Sequence, residues 1–141
     1  MQEILNVAKK GLLLGLKTLW TLAKVVIPVY FFVRLLDLLG FLAVLAGWLH
    51  PFMAVLGLPG QAALVLVLGN VINLYSAIGA MAAVSLSPRE LTIISSMLLV
   101  SHSLILEGAV VKKSGANPWL LTLVRITLSL LVGTVFNLII K

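Results

Sequence analysis

Residues 91–111 read LTIISSMLLVSHSLILEGAVV, and Lys112-Lys113 closes the run. A bilayer core about 30 Å thick needs about 20 apolar residues at about 1.5 Å of helical rise each, so this stretch is long enough to cross one. Its only titratable members are His102 and Glu107. Ser87-Pro88-Arg89-Glu90 stands before it, with Ser87 suited to an N-cap, Pro88 to the first helical position and Glu90 to the first turn. The reading is a membrane helix that begins at a built start signal.

The whole chain reads the same way. Of 141 residues, 62% are hydrophobic and 10% charged, against about 25% charged in an ordinary soluble domain. Four acids and ten bases cannot cover an apolar core of this size, whereas a bilayer removes the need. The absence of cysteine excludes disulfides, thiolate catalysis and Cys-ligated metals. The net charge of +6 is scattered among apolar segments, which fits anionic lipid headgroups and not nucleic acid. No small-residue cleavage site follows the first apolar segment, so it does not read as a signal peptide.

Outward from residues 91–111, the segments fall into place. Residues 1–16 mix Asn6, Lys9 and Lys10 with Ile4, Leu5, Val7, Leu12 and Leu13, and are expected to lie in the interface as an amphipathic helix. Lys17 and Arg34 bracket a first span with a kink expected at Pro28. A second span, residues 38–56, is interrupted by His50-Pro51, and Gly57-Leu58-Pro59-Gly60 reads as a turn. Residues 61–84 are expected as a third span, 91–111 as a fourth, and Pro118 opens a fifth that reaches Ile140. The expected fold is all-α and integral to the membrane: a single domain, 1–141, of about five transmembrane or re-entrant helices after the interfacial one.

If every segment crosses, Lys9, Lys10, Lys17, Lys112 and Lys113 share one side against Arg34, Arg89 and Lys141. Five to three favours a cytoplasmic N-terminus. The narrow margin leaves dual topology open, and a re-entrant third segment changes the count.

Three polar groups stand at membrane depth, where a charge costs about 2.5–3.5 kcal/mol on insertion scales. Asn70, Asn73 and Ser76 are spaced by three; such a stripe serves equally as helix–helix glue or as a transport site. His102 and Glu107 are five apart, about 140° around an ideal helix, and meet only if the helix breaks or bulges between them. One His and one Glu make a poor metal site, and no nucleophile–base pair appears, so neither a metal, a cofactor nor an enzyme is expected. Arg125 lies about 10 Å into the last helix, ahead of Ser129, Gly133 and Asn137 at intervals of four. That stripe offers an additional surface for helix contact in an expected multimer, foremost a dimer. The short loop 114–117 makes the last two helices antiparallel neighbours and sets Glu107 level with Arg125, which predicts a structural ion pair.

With these residues in hand, Gly57-Leu58-Pro59-Gly60-Gln61-Ala62-Ala63-Leu64, Asn73-Leu74-Tyr75-Ser76-Ala77 and Ser87-Pro88-Arg89-Glu90 resemble the small bacterial "nucleoside recognition" or Gate-domain membrane proteins. His102-Ser103-Leu104-Ile105-Leu106-Glu107 with Lys112-Lys113-Ser114-Gly115 is similar to that family's His-Asn-Leu-Pro-x-Glu and Lys-Lys-x-Gly pattern, with Ser103 for Asn and Ile105 for Pro. Relatives of the family include concentrative nucleoside transporters, the ferrous-iron transporter membrane domain and spore maturation proteins A and B. The resemblance implies a Gate-like fold in the bacterial cytoplasmic (inner) membrane and a transport role. It also implies that two units, identical or paired with a second Gate-like protein, form one pathway. The expected cargo is a small polar solute or ion, and the substrate-binding residues are expected to be Asn70, Asn73, Ser76, His102, Gln61 and Glu107. The alternative is a structural or regulatory subunit whose polar stripes are assembly seams.

Overall fold

The computed structural model describes residues 2–140. Seven helices follow in order: α1 (Gln2–Leu38), α2 (Phe41–Val55), α3 (Ala62–Val71), α4 (Leu74–Ala83), α5 (Pro88–Ser101), α6 (Leu104–Lys113) and α7 (Pro118–Ile139). By length and composition, α1, the α5–α6 run and α7 can each cross a membrane, while α2, α3 and α4 are shorter apolar helices. Large apolar side chains cover the outside, among them Trp48, Phe52, Trp119 and Leu138. A lipid environment requires that arrangement and water forbids it.

The interfacial segment and the first span are one helix. No break falls at residues 16–17: the Thr18 hydroxyl donates to Leu14 O and the Thr21 hydroxyl to Lys17 O, stitching the junction. Residues 3–21 are exposed throughout. Neither Pro28 nor Pro51 interrupts its helix, so His50-Pro51 does not divide the second segment.

The third apolar segment is not one continuous helix. It folds back on itself as the hairpin α3–α4, whose arms pack closely. Gln61 at the start of one arm reaches Ser85 O beyond the end of the other, at 3.5 Å. Each arm has ten residues, about 15 Å, about half the thickness of a bilayer core of about 30 Å. The reversal is made by Asn73. Its backbone is extended and its Oδ1 accepts from the Ser76 N–H at 2.8 Å, capping α4. The three-residue spacing of Asn70, Asn73 and Ser76 is therefore a helix stop and restart, not one polar face. Asn70 lies in the last turn of one helix and Ser76 in the first turn of the next.

The core sits where these elements meet. Val33, Val65, Ala77, Ala80, Ile93, Ile94, Met97 and Leu98 are sealed there. α4 lies against α1 through Gly79, where a Cβ would come within 2.7 Å of Val26 O. α5 runs antiparallel to α7, and Gly133 gives room to the Met97 thioether. The Ser129/Gly133/Asn137 stripe, which offered a surface for multimer contact, is consumed here within one chain: Ser129 and Gly133 are buried against α5. At one end of the molecule Arg89 donates to Asn137 O (3.0 Å), Ile140 O (2.6 Å) and Gly57 O (3.2 Å), and also to Asn137 Oδ1. One guanidinium thereby closes the open carbonyls of α7 and ties them to the turn after α2. Gly57 adopts φ 66, and a side chain there would collide with Asn137.

Candidate functional site

Two helix interruptions meet in the middle of the molecule. One is the hairpin tip. The other parts α5 from α6 at His102-Ser103, without the proline that a break would invite. Ser103 takes the left-handed conformation, φ 54 and ψ 36, the one positive φ outside glycine among the described residues. A β-carbon makes that region costly, and such outliers gather at functional sites. The Ser103 N–H donates to Gly69 O at 2.9 Å, so the break in one element is satisfied by the fraying end of the other.

The break brings His102 and Glu107 together. His102 Nδ1 lies 2.9 Å from Leu98 O; a carbonyl only accepts, so Nδ1 carries a proton, and in the neutral imidazole Nε2 holds the lone pair. That Nε2 is 3.7 Å from Glu107 Oε1, too far for a direct bond, while Arg125 donates to Glu107 Oε2. Arg125 also donates through Nε to Val100 O at 2.8 Å, a carbonyl that the α5–α6 break deprives of its helical partner. The guanidinium thus closes the broken helix and holds the carboxylate.

Around this meeting point the expected residues separate into groups. Asn70 donates to Leu66 O at 2.8 Å, which leaves its Oδ1 as the one buried side-chain polar atom without a partner among the described residues. Asn73 is half-buried at the tip with Oδ1 committed to Ser76. Ser76 is 1% exposed and donates to the capping Asn73 through both its N–H and its hydroxyl, so it is sealed beneath the tip. Gln61 is not at the tip at all. It stands at the hairpin base, about 18 Å of helix away, on a recess of about 590 Å³ with His50, Pro51 and Gly60. Asn70 and Asn73 stand at the hairpin tip and His102 and Glu107 at the α5–α6 break, the two places joined by the Ser103–Gly69 bond.

Two contacts belong to the site's frame: Ser103 N–H to Gly69 O, and the buried Ser101–Ser129 pair, in which Ser129 donates to Met97 O at 3.0 Å and the single Ser101 hydroxyl proton faces both Ser129 Oγ at 3.0 Å and Met97 O at 3.1 Å. The antiparallel register that places Glu107 opposite Arg125 also places Ser101 opposite Ser129 and Arg89 near Asn137. That signal was present in the sequence. The Gly69 contact joins two elements whose docking no local pattern specifies.

Residues 19–117 match the family described as Gate, nucleoside recognition. The chain is 40% identical over 129 residues to an uncharacterized membrane protein, YvoD, of Bacillus subtilis (strain 168). That alignment covers 92% of this chain and 41% of YvoD, so the chain spans about two fifths of its relative's length. No solved structure matches it.

Proposed function

The chain belongs to the Gate, nucleoside-recognition family of membrane proteins, and from that premise we propose that it is one half of a transport pathway for a small polar solute. The observation that carries this is the meeting of the hairpin tip with the α5–α6 break, bonded from Ser103 to Gly69. Irregular backbone at membrane depth is tolerated only where protein covers it or a wet cavity adjoins it. Here it is accompanied by a polar set: the unpartnered Asn70 Oδ1, the Asn73 amide and the acceptor Nε2 of His102. These are the groups that would read a hydrogen-bonding solute, with Glu107 poised by Arg125. The role is transport, not catalysis.

One copy does not enclose such a site. Beside Tyr75, 45% exposed on the hairpin tip, Asn73 is half-buried, and the His102 and Glu107 side chains are 32% and 39% exposed. In lipid these polar surroundings need a second wall, which a second copy or a second Gate-like unit supplies. YvoD is long enough to hold another unit of this size. With the hairpin re-entrant, Lys9, Lys10, Lys17, Arg89 and Lys141 share one side against Arg34, Lys112 and Lys113. Lys141 lies outside the described residues. Among the described residues the balance is four to three, and we place the N-terminus in the cytoplasm of a bacterium.

The test is a thermal-shift screen of the purified protein in lipid nanodiscs with nucleosides, divalent cations and small anions. Uptake of any hit into proteoliposomes then follows. One class is expected to stabilise the protein, and Asn70→Ala and His102→Ala are expected to abolish the shift. If no class stabilises it and no hit is taken up, the subunit reading replaces this one.

A further inference from the structure

We propose that the groove between α6 and α7 binds one anionic phospholipid, an acyl chain lying along it and the phosphate held at Lys112. The break at His102-Ser103 frees α6 from the line of α5, and α7 packs chiefly on α5 and less on α6. A cavity of about 480 Å³ is left between α6 and α7, walled by Leu104, Ile105, Gly108, Pro118 and Trp119. Gly108 keeps it open: a Cβ there would meet only Pro118 Cβ, at 3.8 Å.

The polar groups gather at one end. Lys112 lines the groove, is exposed and makes no ion pair among the described residues. Glu107, the acid on the same helix, is engaged by Arg125. Thr122 lines the groove as well. The chain's other five threonines donate to the carbonyl four residues back, whereas Thr122 has no side-chain hydrogen bond among the described residues. Lys113, the loop 114–117 and Trp119, which is 81% exposed, mark this end as the membrane surface. Leu104 lies eight residues deeper, about 12 Å along the helix. A cation with a free hydroxyl at headgroup level, above a dry slot running into the bilayer, has the chemistry of a phosphate with its acyl tail.

Native mass spectrometry decides it, with the detergent-purified chain titrated against phosphatidylglycerol or phosphatidylcholine of identical acyl chains. The wild type is expected to retain one phosphatidylglycerol about fivefold more strongly than phosphatidylcholine, the effect of one lysine at a membrane surface. Gly108→Leu is expected to lose the adduct of both lipids. Lys112→Gln is expected to keep acyl binding and lose the preference, and Lys113→Gln to change neither. Inorganic phosphate, lacking a tail, is expected not to compete. Equal retention of the two lipids by the wild type overturns the proposal. So does an undiminished preference in Lys112→Gln, whatever the folding of Gly108→Leu.

Discussion

Arginine does two structural jobs in this chain, one in the middle of the bundle and one at its end. Arg125 binds Glu107 and the Val100 carbonyl, so its loss orphans a carboxylate and a helix end together. In a double-mutant cycle read by unfolding in detergent, Arg125→Gln is expected to cost more than Glu107→Gln. The coupling between them should be about 1–3 kcal/mol; strictly additive effects would mean the charges do not interact. Arg89 stands at the other end with four acceptors on α7 and the α2–α3 turn. Arg89→Gln should destabilise the protein by about 1.5–3 kcal/mol. It should also speed amide exchange at the end of α7, while the same change at exposed Lys113 does neither. Both arginines were visible in the sequence, but only Arg125 stood out. It lies deep in an apolar helix, whereas Arg89 sits inside a capping box that explains its neighbours and conceals its own partners.

Among the helices, the hairpin α3–α4 decides the topology. Gln61→Cys and Ser85→Cys, in a chain with no native thiol, should react with an impermeant reagent from the same side of sealed vesicles. Labelling from opposite sides would restore a crossing segment and remove the tip. The packing of the hairpin on α1 depends on Gly79, where the obstacle is the backbone of Val26 and cannot yield as a side chain would. Gly79→Ala is expected to cost about 1–3 kcal/mol through overpacking. Gly47→Ala, with open space around it, should be neutral or stabilise by about 0.5–1 kcal/mol through reduced chain entropy. Thermal unfolding of the two variants side by side measures the contrast. The apolar lengths were legible and the reversal was not. Hydropathy is the same for ten residues in and ten out as for twenty across, and the one local clue, Asn73 three before Ser76, also fits a helical stripe.

For the molecule as a whole, the uncovered hairpin tip predicts pairing. Tyr75→Cys should form a disulfide-linked dimer on mild oxidation in lipid, because the exposed side of the tip is where a second unit would close the pathway. A chain that stays monomeric at every protein-to-lipid ratio would count against the half-transporter. The small-residue stripe on α7 gave a different reason to expect pairing, and that reason fails. Ser129, Gly133 and Asn137 are taken up by α5, Leu56 and Arg89 of the same chain.

Composition, apolar segment lengths and start signals determined by themselves that this is an all-helical membrane protein, because bilayer thickness and backbone hydrogen bonding leave few other solutions. The four-residue loop 114–117 went further, fixing the antiparallel register that sets Glu107 level with Arg125. Tertiary structure alone decided that residues 61–85 turn back, that the helix opens at Ser103 without a proline, and that these two interruptions meet. The reason is that a broken helix end is stabilised by whatever supplies its missing partner. Here that partner is Gly69 O for the Ser103 amide and Arg125 for the Val100 carbonyl, both distant in the chain and neither encoded in the local pattern.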